Sequence, residues 1–163
     1  MLKILFVCTG NTCRSPMAEA LMKAELAVNR PSFKVEVSSA GLSARAGEKA
    51  SEQARNVFGY DGPDLNKHSA RPLDCDLIDD SDVILVMTAD HKRQLRARFP
   101  RSAGKTFLLK EFAGLDRNGK DLEDPAGYGP EIYRRVLEEI RACVKKITFK
   151  LKEEPDDENC PGK

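Results

Sequence analysis

Residues 3–28 read KILFVCTGNTCRSPMAEALMKAELAV, and the order of residue types in this stretch decides the fold. KILFV (3–7) is a continuous β-branched and aromatic run, as expected of a strand buried on both faces. CTGNTC follows, and its Gly10 and Asn11 tolerate backbone angles closed to most residues. SPMAEALMKAEL then has helical character. Ser15 is placed to cap it, Pro16 suits the first helical position, and Met17, Leu21 and Ala24 recur at helical spacing. Glu19 complements the positive end of the helix dipole. Strand, tight turn and helix in that order open a parallel α/β layer.

The rest of the chain repeats the alternation. FKVEVSS (33–39) reads as a second strand, turned by SAG (39–41), and EKASEQARNVF (48–58) as a helix. After a Gly-, Pro-, Asp- and Asn-rich loop through His68 come a short helix at DCDLIDD (74–80) and an apolar strand at DVILVM (82–87). DHKRQLRARF (90–99) predicts a helix, KTFLLK (105–110) a fourth strand, and 111–129 a long loop. In the last helix Ile132, Val136, Ile140, Val144 and Ile147 form one stripe, with Tyr133 and Leu137 beside it. The expected architecture is one α/β domain over residues 1–152: three layers, doubly wound, with a four-stranded parallel sheet. Such sheets bind ligands at the carboxyl ends of their strands, which is where CTGNTCR falls.

Composition narrows the class. Of 163 residues, 40% are hydrophobic and 33% charged, which excludes a membrane protein and a wholly disordered chain. The 27 basic and 26 acidic side chains nearly cancel, but the segment EEPDDENCPGK (153–163) holds five acids and one base, leaving +5 on residues 1–152. The tail reads as acidic and disordered. The mildly basic body favours phosphorylated or acidic partners and is too weak an argument for nucleic acid. Five scattered cysteines (Cys8, Cys13, Cys75, Cys143 and Cys160) with no CxxC pair argue against a disulfide scaffold and a structural zinc site. With an N-terminal apolar run too short for a signal peptide, the expectation is a cytoplasmic, reduced, monomeric protein.

The loop carries the chemistry. Successive backbone N–H groups from Thr9 to Arg14 can point into one concavity, to which the following helix adds its positive end. Cys8 at the base of this cup is a thiol whose ionised form those donors favour, and a thiolate under a bound phosphoryl group is a nucleophile aimed at phosphorus. Arg14 at a helix start opposes the dipole, by up to about 1 kcal/mol, unless an anion sits there. Its guanidinium can fork around two phosphoryl oxygens, and the Ser15 hydroxyl can donate to the Cys8 sulfur. Composition alone would produce Cys, five residues, Arg and then Ser or Thr about 0.03 times per chain, so the pattern draws its weight from its placement between strand and helix.

VCTGNTCRSPMAEA resembles the signature of the low-molecular-weight protein-tyrosine-phosphatase family. SAG (39–41), His68 with Ala70 and Arg71, DVILVMTADH (82–91) and LEDPAGY (122–128) fall in that family's order. The resemblance covers roughly residues 2–150. It implies a phosphotyrosine protein phosphatase I-like fold, no metal or other cofactor, phosphorylated proteins as partners, and a two-step reaction through a phosphocysteine. Carried over by position, Cys8 is the nucleophile, Arg14 binds the phosphoryl group and Asp124 is the general acid. Thr9, Gly10, Asn11, Thr12, Cys13 and Ser15 complete the phosphate-binding loop, and Asn11, Ser39 and His68 support its strained turn. The resemblance also implies a reversible disulfide between Cys8 and Cys13. An acid near the leaving group is chemically sensible, since the departing atom must gain a proton as its bond to phosphorus breaks.

Two departures bear on the substrate. Thr12 stands where tyrosine-specific members usually carry a larger aliphatic residue, and is similar to the bacterial branch that removes phosphate from arginine. Ala126 and Gly127 follow Asp124-Pro125, where eukaryotic members place adjacent aromatics that flank a phenol ring. A compact hydroxyl can accept a hydrogen bond from a guanidinium nitrogen, so phosphoarginine is the preferred substrate and phosphotyrosine the alternative. An arsenate reductase would need two further cysteines on a mobile segment, and a cysteine phosphocarrier of sugar transport would not need the arginine. A non-catalytic phosphate-binding module would not need the thiol.

Overall fold

The computed structural model of the chain describes residues 1–60 and 62–153. Apart from Glu153, the expected acidic tail lies outside the described residues. In chain order the elements are β1 (Leu2–Cys8), α1 (Arg14–Val28), β2 (Val35–Gly41), α2 (Glu52–Asn56), α3 (Cys75–Asp80), β3 (Val83–Val86), α4 (Ala89–Arg98), a 3-10 segment (Pro100–Lys105), β4 (Thr106–Leu108), α5 (Leu109–Ala113) and α6 (Pro130–Glu153). The four strands form one sheet in the order β2-β1-β3-β4, and every pairing is parallel. The three-layer α/β expectation holds.

Alternation along the central strands builds the layers. Ile4, Phe6, Cys8, Leu85 and Met87 face one side, where they pack with Met17, Leu21 and Met22 of α1 and Val136, Leu137, Ile140 and Val144 of α6. Leu5, Val7, Ile84 and Val86 face the other, against Ile78 of α3 and Leu95 of α4. Because both faces are covered, β1 and β3 read as unbroken apolar runs. The chain leaves β1 for β2 on one side and then returns to β3 on the other. The crevice at the ends of β1 and β3 is therefore the switch point where such folds hold ligands.

Four local expectations are corrected. Strand β2 extends through Gly41, which pairs with Cys8, so SAG is strand and the turn comes after it. A Cβ on Gly41 would stand 2.7 Å from the Thr9 carbonyl oxygen and 2.9 Å from the Asn11 nitrogen; glycine is there for close approach. The helix expected over 48–58 shortens to α2, capped by Ser51, whose hydroxyl accepts from the Ala54 N–H. Residues before it are drawn off by tertiary hydrogen bonds, Ala70 N–H to Glu48 O and Ser51 N–H to Thr12 O. The strand expected over 105–110 stops at Leu108 and turns into α5, which takes the end of that stretch and the start of the predicted loop. Gly114 ends that helix in the left-handed conformation (φ 74°), the usual helix C-terminal signal.

The fourth concerns α1. It begins at Arg14, with Cys13 in the cap position and no side-chain cap bond, so Ser15 is not the cap. Its hydroxyl is committed elsewhere. Pro16 remains harmless because the first intrahelical donor is Met17 N–H, to Cys13 O at 3.1 Å.

Candidate active site

Loop 9–13 leaves β1 at the sheet's carboxyl edge. Among the described residues its five N–H groups find no protein acceptor, as amides committed to an anion would not. Asn11 holds the turn. It is fully buried and has φ 55°, a left-handed angle that costs about 1 kcal/mol in a residue with a Cβ. Its carbonyl accepts from His68 Nε2 (2.7 Å) and its Oδ1 from the Arg71 N–H (3.1 Å). Its Nδ2 donates to Ser15 Oγ and Ser39 Oγ, both at 2.9 Å. Four such bonds outweigh the strain.

These bonds orient protons. Ser39, having accepted from Asn11, donates to Glu19 Oε2 at 2.5 Å. Ser15 likewise accepts from Asn11, so its own proton turns to Cys8 Sγ, 2.9 Å away. Glu19 thus anchors Ser39; with α1 starting at Arg14 it lies past the first turn, which has no acidic residue, so the dipole role expected of it is not the one it fills. The loop is further pinned by Leu42 N–H to Cys8 O (3.0 Å) and Ser43 N–H to Thr9 O (2.8 Å).

Arg14 is 4% exposed. Its Nη1 donates to the Leu122 carbonyl at 3.0 Å, and its Nη2 pairs with Asp124 Oδ2 at 3.3 Å. Asp124 has a side chain 57% exposed and accepts the Ala126 N–H on Oδ1 at 3.1 Å. Leu122 N–H donates to Met87 O at 2.9 Å, which ties this distant loop to the end of β3. The structure therefore brings Cys8, Arg14 and Asp124 into one crevice.

Four participants have no role assigned to them from the sequence. Arg71 supports Asn11 and also donates from Nε to the Ser39 carbonyl at 2.9 Å. Ser51 and Tyr133 flank Cys13: its Sγ lies 3.3 Å from Ser51 Oγ and 3.2 Å from Tyr133 Oη. Burial, with the Cys13 bond adding to it, pushes the Tyr133 phenol up to about 12. His91, in the first turn of α4, places Nε2 2.8 Å from Thr9 Oγ1. Thr88 caps that helix, its hydroxyl accepting from the His91 N–H at 3.1 Å; nothing local pointed at Thr9. Thr12 is half-buried, with Oγ1 3.8 Å from Cys13 Sγ. Cys8, Cys13, Cys75 and Cys143 are free. Among the described residues no three His, Cys, Asp or Glu side chains gather closely enough to hold a metal ion.

A thiol under a ring of amides, a buried guanidinium and a carboxylate at the rim together form a crevice suited to a tetrahedral oxyanion. The chain belongs to the low molecular weight phosphotyrosine protein phosphatase family, whose model matches residues 3–157. It is 40% identical over 153 residues to a protein-arginine-phosphatase of Geobacillus stearothermophilus, covering 93% of this chain and 97% of that one. To a low molecular weight protein-tyrosine-phosphatase of Acinetobacter johnsonii it is 35% identical over 145 residues, covering 89% and 94%. Among solved structures, a Cys-to-Ser mutant of the arginine phosphatase YwlE with a phosphorylated active-site serine superposes with a TM-score of 0.85. The two are 35% identical, with 94% of this chain and 97% of that chain covered.

Proposed function

We propose that this member of the family hydrolyses phosphorylated protein side chains through a phosphocysteine at Cys8, with phosphoarginine preferred. Cys8 thiolate attacks phosphorus; the S–P bond forms as the bond to the leaving nitrogen breaks. Asp124 supplies the proton that the leaving nitrogen needs. Arg14 and the amides of residues 9–14 hold the three phosphoryl oxygens throughout. Asp124, now a carboxylate, takes a proton from water as that water attacks phosphorus. The S–P bond breaks, inorganic phosphate leaves, and Ser15 steadies the returning thiolate. The contact that carries the reading is Ser15 Oγ to Cys8 Sγ at 2.9 Å, with the proton directed at sulfur by Asn11.

Support for phosphoarginine comes from Thr12 in the cup and from the arginine-phosphatase relatives. Phosphotyrosine is the second reading, favoured by the tyrosine-phosphatase relatives and by Tyr128, a 57% exposed aromatic four residues beyond Asp124. One experiment tests both parts. Rapid-quench mass spectrometry finds a phosphoryl adduct on Cys8, absent in Cys8→Ala. Matched peptides give a higher kcat/KM on phosphoarginine, and Thr12→Ile moves that ratio toward phosphotyrosine. Absence of the adduct removes the mechanism; an unmoved ratio removes the arginine assignment.

The reading extends to a monomeric cytoplasmic enzyme that acts without cofactor and whose activity responds to oxidants. Peroxide oxidises the Cys8 thiolate to a sulfenic acid, from which the Cys13 thiol displaces water to form a disulfide that a thiol reductant reopens. Activity lost to peroxide should therefore return with dithiothreitol, and in Cys13→Ala it should stay lost.

A further inference from the structure

The imidazole of His91 is idle in the chemistry above, yet it sits at the switch between β1 and β3 and reaches the residue that follows the thiol. It is 4% exposed. Its Nε2 lies 2.8 Å from Thr9 Oγ1, while its Nδ1 is buried with no partner among the described residues. The charges facing it are Arg14 from α1, Asp90 from its own helix, and Asp121 and Asp124 from the loop ahead of α6. Burial, and then Arg14, outweigh the three carboxylates and press the ring down to about 4, so it is neutral in ordinary buffers.

A neutral imidazole has one N–H. With the proton on Nδ1, a buried donor would be stranded and the Thr9 hydroxyl would spend its own proton on Nε2. With the proton on Nε2, only an acceptor lone pair is left alone, the arrangement buried groups tolerate better. Thr9 Oγ1 then accepts from His91 and keeps its proton free. Thr9 is exposed at the rim of the cup.

We propose that His91 is a positioning residue whose Nε2–H fixes the Thr9 hydroxyl, so that Thr9 adds a side-chain donor to the amides that grip the phosphoryl group over Cys8. This rests on the phosphatase reading. A hydrogen bond to a charged oxygen of this kind changes affinity by about tenfold.

The test measures inhibition by inorganic phosphate alongside kcat/KM on an aryl phosphate. Thr9→Val and His91→Phe should each raise the phosphate inhibition constant about tenfold and lower kcat/KM by a similar factor, and the double variant should be no worse than either single one. Thr9→Ser and His91→Gln, which keep the hydroxyl and the donor, should recover most of the loss. Long-range proton–nitrogen spectra of the wild-type protein should show the Nε2–H tautomer unchanged from pH 5.5 to 8. A Thr9→Val protein within twofold of wild type in phosphate inhibition, additive losses, an Nδ1–H tautomer or an imidazolium each overturns the inference. Because Thr9 is exposed, its variant decides the matter even where His91→Phe does not fold. Turnover that survives Cys8→Ala would instead remove the phosphocysteine reading, a result the phosphate-binding comparison does not depend on.

Discussion

Asp124 has the least sheltered role of the three central residues. Its ion pair with Arg14, at 3.3 Å, leaves it free to turn toward a leaving group when a phosphoryl oxygen takes over the guanidinium. A general acid, the role proposed for it, contributes about 10²–10⁴ in rate, and the contribution grows as the leaving group becomes more basic. Asp124→Ala should therefore lower kcat about a hundredfold on phenyl phosphate and much less on an activated nitrophenyl ester; equal losses on both would argue against proton donation. Cys143 makes a useful contrast at the same scale. Burial pushes its thiol up to about 11, which leaves it a core residue, whereas Cys8 has a hydroxyl proton aimed at its sulfur.

Among the elements, β2 does more than lengthen the sheet. Its last residue, Gly41, is the floor on which loop 9–13 rests, and a methyl group there would meet backbone at 2.7 and 2.9 Å. Backbone cannot swing aside as a side-chain tip can. Gly41→Ala should lose about 1–3 kcal/mol of stability in urea unfolding and weaken phosphate binding. Gly104→Ala, where a Cβ meets nothing within 4 Å, should stay within about 0.5 kcal/mol of wild type. The sequence was informative here where pattern and structure are both local. β1, the loop, α1 and the stripe of α6 could be read because strand burial, turn chemistry and helical spacing sit within a few residues of one another. SAG misled because a glycine needed for close approach looks the same in sequence as a glycine needed for a turn. LLKEFAG misled because a short apolar run suits a strand or a buried helix equally, and only Gly114 marked the difference.

The site as a whole was half legible for the same reason. Cys8, Asn11, Arg14 and Ser15 share one motif, and the family resemblance supplied Ser39, His68 and Asp124 by order along the chain. Ser51, Arg71, His91 and Tyr133 act through contacts made only when distant segments meet, and carry no local mark of it. His91 also has a consequence for the entire molecule. Its ordinary value of 6.5 falls to about 4 on folding, so as pH drops the unfolded chain takes up a proton first. Stability from this residue is present above pH 6.5 and is lost between there and pH 4, by on the order of 2 kcal/mol from pH 7.5 to 5. Urea unfolding at those two pH values should show wild type losing more than His91→Gln by about that amount; equal losses would mean the ring is not held neutral.

The crevice is stitched across great separations in the chain: 108 positions between Arg14 and Leu122, 120 between Cys13 and Tyr133. A ribosome releases residues in order, at about 5–20 each second. The thiol thus emerges long before the carboxylate and the final helix that complete its surroundings. The crevice can close only once Leu122, Asp124 and Tyr133 have left the ribosome to meet Arg14 and Cys13.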